Sequence, residues 1–346
     1  MKNNKSLINK VGINGFGRIG RCIFRINYEK HNSFEVTIIK DIMPIENIAY
    51  LLKYDSLYGL NNKYIEIDGD YIVINKKIRI RYIQEENITN VPWRDYGVDL
   101  IIDSMGHTNT EDLRYLIDNN IVSKVICTWN IPEPDITIVF GVNNSQYDGS
   151  RHSIISSSTC TGNGVVPIIH LLEKFFGVEY CHIITIHPVL NDQKLMDSFH
   201  KDFHLGRMAT NSIIPTSTSV AKSAFILYPE LEGKIDCLSY RVPTAIVSSI
   251  DMCVELGKNT NLSELRKILE NAADNELKGI LKCDDGFMGN NKVSIDFIRS
   301  PYSSVILMNY LQLTKERYLS LSIFHDNEWG YSKRVCDLIH YIQKID

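Results

Sequence analysis

The stretch Ser156-Ser157-Ser158-Thr159-Cys160-Thr161-Gly162-Asn163-Gly164 sets one cysteine among small polar residues, directly before the apolar run 165–172. That run continues to Gly177, which predicts a helix beginning at or near Cys160 and ending at a glycine C-cap. A thiol in that position meets the positive end of the helix dipole and several unpaired backbone N–H groups, both of which favour thiolate. The alternative is a buried cysteine acting as a small hydrophobe. A cysteine nucleophile needs a base, and a phosphorylated substrate needs cations or hydroxyls in a small site. His187, closing the apolar run 181–187, is the base the sequence offers, and Arg207 and Arg241 are the cations. His200 and His204 stand four apart, a metal-like spacing on a helix, but they fall in a polar segment and read as loop residues, so no metal site is expected.

A second group of residues points to a nucleotide. Gly15, Gly17 and Gly20 form G-x-G-x-x-G between a short apolar strand from Lys10 and a helical run from Cys22 to Arg25. Gly15 permits the tight turn, Gly17 lets backbone N–H groups approach a pyrophosphate, and Gly20 lets helix pack on strand. Phe16, Arg18 and Ile19 complete this candidate cofactor loop. A second strand, 34–39, ends at Lys40-Asp41, about 20 residues past the last glycine as the fingerprint requires. A carboxylate at Asp41 can accept both ribose hydroxyls and would repel a 2′-phosphate, which favours NAD over NADP. Lys40 either offsets part of that repulsion or is a solvated strand-end charge.

These residues need elements to position them. Buried strands at 98–103, 124–128 and 136–141 alternate with helical segments, the pattern of a doubly wound parallel sheet that binds its ligand at the carboxyl ends of the strands. Asp103 to Gly106 and Thr128-Trp129 are then candidate contacts. The second half differs. After the strand ending at His187 comes a polar segment, 191–211, with Asp192, Lys194, His200, Lys201 and Arg207, which reads as a functional or interface loop. The run 247–256 alternates like an antiparallel strand with one wet face, 261–277 is an amphipathic helix with Leu262, Leu265, Ile268 and Leu269 inward, and 318–324 is a further strand. The expected architecture is α/β: residues 1–158 as a cofactor domain and 159–331 as an α+β catalytic domain with an antiparallel sheet. The final helix, 332–342, presents Val335, Leu338, Ile339 and Ile342 on one stripe and packs segment 332–346 back on the first domain.

Composition narrows the class. A chain of 346 residues suggests two domains, and 44% hydrophobic with 23% charged residues is a soluble globular balance. A net charge of −4 supplies no general attraction to nucleic acid or to an anionic membrane. The eight cysteines show no C-x-x-C pairing, which favours reduced thiols in the cytoplasm over a disulfide framework. Met1 to Ser6 is polar, unlike a signal peptide, and no run approaches the roughly 18 apolar residues of a membrane span.

The pieces G-I-N-G-F-G-R-I-G-R at 12–21, L-K-Y-D-S at 52–56, S-T-C-T at 158–161, H-K-D at 200–202, S-I-I-P at 212–215, R-V-P-T at 241–244 and D-N-E-W-G-Y at 326–331 follow one another over nearly the whole chain. Together they resemble the phosphorylating glyceraldehyde-3-phosphate dehydrogenases. The resemblance implies a glycolytic enzyme with a Rossmann domain binding NAD and a catalytic domain in which Cys160 attacks the substrate aldehyde. His187, 27 positions further on, would accept the hydroxyl proton, hydride would pass to the nicotinamide, and phosphate or water would attack the resulting thioester. It implies Arg241 as the substrate-phosphate ligand, and Thr159, Thr161, Thr218 and Arg207 around the substrate and attacking phosphate. Gly106 and Thr128 would join the cofactor site, with Asn327 and Tyr331 fixing the nicotinamide. It also implies a homotetramer, with segment 188–211 reaching a neighbour's cofactor site.

The chain departs from the family pattern at three places. Gly164 stands where a second cysteine is usual, Leu190 replaces a threonine that contacts substrate phosphate, and Ser303-Ser304-Val305 lacks the acidic residue usual after the serine pair. The erythrose-4-phosphate dehydrogenases also lack that threonine, and 91–94 and 293–297 look like theirs. Erythrose 4-phosphate, another acyl group and a non-catalytic binding role therefore stand as alternatives to glyceraldehyde 3-phosphate.

Overall fold

The computed structural model describes residues 10–31, 33–191 and 193–346, so the polar N-terminus and Asp192 lie outside the described residues. The chain divides into two compact units, Met1–Ser158 with Ser332–Asp346, and Thr159–Tyr331.

In the first unit nine strands form one sheet, in the order Ile65–Asp68, Tyr71–Ile74, Ile78–Gln84, Glu35–Asp41, Lys10–Asn14, Leu100–Asp103, Lys124–Cys127, Ile154–Ser156, Ile136–Thr137. From Ile78–Gln84 onward every neighbour is parallel, and the first two strands add an antiparallel edge. The order changes direction at Lys10–Asn14, whose carboxyl end is the topological switch point where such sheets bind ligands. Its central strands are buried on both faces, which is why they read as unbroken apolar runs. Trp93 fills the core beside Ile38, Ile101, Leu113 and Val125, and its indole N–H reaches the Ile88 carbonyl at 2.9 Å.

The strand expected over 136–141 stops at Thr137. The side-chain amides of Asn143 and Asn144 accept the Val139 and Gly141 N–H groups, both at 2.8 Å, giving the backbone a local alternative to the ladder. The last helix runs Trp329–Ile345, starting earlier than its apolar stripe because Asp326 Oδ1 accepts from Trp329 N at 2.8 Å. Val335, Leu338, Ile339 and Ile342 are buried, and the helix end is held within the first unit by Tyr147 to Asp346 at 2.8 Å and Gln343 to the Ser33 carbonyl at 3.2 Å.

The second unit is built on an eight-stranded sheet in the order Ile214–Thr216, Ile235–Val242, Val178–Pro188, Ser248–Leu256, Tyr318–His325, Ser304–Leu307, Leu281–Asp284, with Gln312–Thr314 added alongside Tyr318–His325. The sheet is mixed rather than wholly antiparallel. Val178–Pro188 and Ile235–Val242 are parallel, a pairing that needs a long crossover, and residues 189–234 with the helix Val220–Leu227 supply it. The Cys160–Phe176 helix packs on this sheet and is buried nearly all round, which explains its lack of a polar face. The helix Leu262–Asp274 is amphipathic with Leu265, Leu269 and Ala272 inward, while Leu262 at its first turn is exposed.

Candidate active site

The cysteine helix begins at Cys160, as its sequence requires. Thr159 caps it, its hydroxyl oxygen accepting from Gly162 N at 3.0 Å, and Gly177 ends it at φ +74. Just before the cap, Ser158 holds φ +59, a conformation costly for a side chain and common at functional turns. The Cys160 sulfur lies 3.8 Å from Thr161 Oγ1. Burial pushes the thiol pKa up, against the hydrogen bonds from Thr161 and the charge of Arg241. The helix terminus therefore does not by itself yield a thiolate, because desolvation outweighs it.

His187, next to last on its strand, pairs directly with Arg241 on the neighbouring one. The imidazole is buried, and its Nδ1 lies 2.8 Å from the Pro188 carbonyl oxygen. A carbonyl only accepts, so Nδ1 carries the proton and Nε2 keeps the lone pair. Burial, followed by the Arg241 charge, lowers the His187 pKa to about 4. Arg241 thus acts electrostatically on both Cys160 and His187. At neutral pH the catalytic candidates are a protonated thiol and a neutral imidazole poised as a base.

The other candidates of this unit are more dispersed. Thr161 is buried beside the cysteine, and Thr218 lies two residues before the helix Val220–Leu227, its hydroxyl accepting from Val220 N at 3.3 Å. Arg207 lies on the long loop, its side chain 68% exposed and its Nε 3.0 Å from Asp197. Leu190 is exposed, with its N–H donated to Gln193 Oε1 at 2.9 Å. Asn327 and Tyr331 are buried, and Asn327 Oδ1 is an acceptor without a partner, suited to the N–H of a carboxamide. His200 is held within its own loop by Asp202 N at 2.9 Å, and among the described residues no three His, Cys, Asp or Glu groups gather as a metal site.

In the first unit the glycines behave as their spacing demands. Gly15 turns at φ +88, and a Cβ on Gly20 would stand 2.4 Å from the Gly15 carbonyl oxygen. A Cβ on Gly17 would meet nothing within 4 Å, so the loop presents open space at the start of the helix Arg18–Ile26. Phe16 N donates to Asp41 Oδ2 at 2.6 Å, while Ile42 N and Met43 N donate to Oδ1 at 2.7 and 3.1 Å. The carboxylate thereby shapes the loop and retains acceptor capacity for a ribose hydroxyl. Ile19 is half-buried in the first helical turn.

Lys40 is not a solvated strand end. Its side chain is buried and its ammonium donates to the Glu86 carbonyl at 2.8 Å. Gly106 turns at φ +77, and Thr128 N donates to the Asp103 carbonyl at 2.9 Å. Asp103 itself is a buried internal hub, its carboxylate accepting from Asn14 at 2.7 Å, Thr108 at 2.7 Å and Trp129 at 2.9 Å. Arg18 pairs with Asp55 of the L-K-Y-D-S segment at 2.7 Å, a partner 37 positions away that local pattern does not reveal. A glycine turn opening into free space at a helix N-terminus, beside a strand-end carboxylate, fits a dinucleotide.

Comparison with known proteins places both units. Residues 9–111 match the family model described as the NAD binding domain of glyceraldehyde 3-phosphate dehydrogenase, and 159–327 match its C-terminal domain. The chain is 39% identical over 334 residues to glyceraldehyde-3-phosphate dehydrogenase 1 of Bacillus cereus, covering 96% of this chain and 98% of the relative. It is 38% identical to glyceraldehyde-3-phosphate dehydrogenase of Geobacillus stearothermophilus with the same coverage. Among the described residues no helix is long and apolar enough to cross a membrane.

Proposed function

The chain belongs to the glyceraldehyde 3-phosphate dehydrogenase family of NAD-dependent oxidoreductases, and on that premise we propose that it oxidises a small phosphorylated aldose through a covalent adduct on Cys160. The proposed substrate is D-glyceraldehyde 3-phosphate, converted with inorganic phosphate to 1,3-bisphosphoglycerate. The observation that carries the reading is the His187 tautomer: Nδ1 is committed to the Pro188 carbonyl, which leaves Nε2 as the basic nitrogen of a ring that shares the Arg241 charge with Cys160 at its helix start.

His187 Nε2 takes the thiol proton as sulfur bonds to the aldehyde carbon, then returns it to the oxyanion, giving a thiohemiacetal. NAD, when bound, supplies the hydride acceptor. Nε2 withdraws the hydroxyl proton as the carbon is oxidised, leaving a thioester on Cys160. A phosphate oxygen attacks that carbonyl carbon, the C–S bond breaks, and the sulfur regains a proton from His187. Arg241, beside His187 in the sheet, suits the substrate phosphate, while Thr159, Thr161, Thr218 and Arg207 suit the substrate and the attacking phosphate. Gly15 to Gly20 and Asp41 would hold the pyrophosphate and ribose, Gly106 and Thr128 would border them, and Asn327 with Tyr331 would hold the nicotinamide. On this reading 1–158 with 332–346 form the cofactor domain and 159–331 the catalytic domain.

Leu190 favours a second reading, erythrose 4-phosphate or another acyl group. An exposed leucine cannot donate a hydrogen bond to a phosphate. A homotetramer accords with the exposed Leu195, Met196, Phe199 and Phe203 on the long loop, and eight cysteines held outside any disulfide accord with a reducing, cytoplasmic setting.

NADH formation from glyceraldehyde 3-phosphate, with and without phosphate and beside erythrose 4-phosphate, tests the proposal. Phosphate-dependent turnover preferring glyceraldehyde 3-phosphate, lost by roughly 10³-fold or more in Cys160→Ser, supports it. Undiminished turnover in Cys160→Ser refutes the covalent route.

A further inference from the structure

A row of polar side chains crosses the sheet of the second unit, and the Cys160 helix meets it at Gly164. His187 pairs with Arg241 on one side, and Ser248 pairs with His325 on the other. The rung Ile186–Ser249 joins the two middle strands, so the next step along them brings His187 beside Ser248. The row therefore runs Arg241, His187, Ser248, His325, each on a strand about 4.8 Å from the next.

Three of its surroundings are out of the ordinary. His325 is 2% exposed and Ser248 fully buried, yet neither His325 Nε2 nor Ser248 Oγ has a hydrogen-bond partner, and the buried Ser303 Oγ has none either. Buried polar atoms are costly to leave unpaired, so several in one place call for a use. The backbone is strained to place Ser248, because the preceding Val247 sits at φ +68, where a β-branched residue is a true outlier. Finally, the helix presses on the row at Gly164, where a Cβ would meet Ile250 Cδ1 at 3.2 Å, the Ser303 carbonyl oxygen at 3.3 Å and His325 Cδ2 at 3.7 Å. Ser304 fastens the same turn, its hydroxyl donating to the Gly164 carbonyl at 2.5 Å.

We infer that His325 and Ser248, the next two members of this row, are positioning residues for the base His187. The inference rests on the thiol–imidazole chemistry proposed above. Pro188 tethers His187 at Nδ1, and the Ser248–His325 pair closes the sheet beside it with uncharged polar groups. That wall keeps bulk water from the ring and limits the directions in which it can turn. Of the charged or titratable groups facing this row, a charge on His187 acts on His325, and Arg241 acts on His187 and on Cys160.

The test uses the full-length enzyme and reads the rate of Cys160 alkylation by iodoacetamide across pH, together with kcat and KM. His325→Phe and Ser248→Ala should each slow alkylation and kcat about tenfold, a part of the roughly 10²–10⁴-fold that a placed general base supplies. Each should leave KM for the aldehyde unchanged and move the pH midpoint of alkylation by about half a unit or more. His325→Gln, which restores a polar atom, should recover most of the loss. Folded variants with wild-type rates and midpoint overturn the inference, and if His325→Phe fails to fold, Ser248→Ala decides alone. A wild-type enzyme whose alkylation is indifferent to His187→Asn would instead overturn the underlying thiol–imidazole reading.

Discussion

The Nδ1 of His187 lies 2.8 Å from the carbonyl oxygen of Pro188, its own neighbour along the strand, and this tether decides which ring nitrogen can act as a base. Asparagine can keep the tether with its side-chain N–H while offering no basic nitrogen. His187→Asn should therefore fold normally, keep NAD binding, and lose roughly 10²–10⁴-fold in kcat. Steady-state kinetics beside cofactor titration check this, and an activity within a few-fold of wild type would exclude His187 as the base.

The same burial fixes how stability responds to acid. His187 and His325 have folded pKa values lowered to about 4 and about 3, chiefly by burial, below the ordinary value of 6.5. In the window between the folded and ordinary values the unfolded chain binds more protons than the folded one, so stability falls as pH drops. The loss begins near pH 6.5 and continues through about pH 4 for His187 and about pH 3 for His325. For His187 alone it amounts to about 3 kcal/mol once complete. Denaturant midpoints measured from pH 7 down to pH 4 should decline, and His325→Gln should flatten the decline.

Gly20 is a packing glycine. A methyl group there would press on the Gly15 carbonyl oxygen, at 2.4 Å, and on Ser104 Oγ, at 3.0 Å. Gly20→Ala should cost about 1–3 kcal/mol of stability by overpacking, and should weaken NAD binding because the loop must shift. Thermal melts with and without NAD would show both effects, whereas an unchanged NAD-induced shift would dissociate the turn from the cofactor.

Lys40 and Asp41 are neighbours with separate tasks. The Asp41 carboxylate organises the glycine loop, while the Lys40 ammonium is committed to the Glu86 carbonyl. Asp41→Asn should raise KM for NAD about tenfold and narrow the preference over NADP. Lys40→Met should leave that preference unaltered. A large shift toward either cofactor in Lys40→Met would contradict its internal role.

Much of this was readable from local pattern. The Cys160 helix with its threonine cap and Gly177 stop, the glycine turn before a helix, and the fully apolar central strands all declare themselves within a few residues. What escaped depends on distant partners. The parallel pairing of the His187 strand with the Arg241 strand arises from a crossover that periodicity does not report. The direction of the Cys160 pKa shift depends on how deeply the fold buries the thiol, and the internal commitment of Lys40 on a carbonyl 46 positions away. Ser248 and His325 carry no motif, and sheet register alone brings them together.

The helix that begins at Cys160 is buried without interruption from Thr161 to Ile169. Its backbone amides can meet solvent only when the surrounding sheet and helix separate, so their hydrogen exchange should proceed through the largest opening of the catalytic unit rather than through fraying. The nucleophile thereby stands directly at the head of this buried stretch. Heat or denaturant should leave no partly opened form that retains a working thiol, and inactivation should coincide with cooperative unfolding.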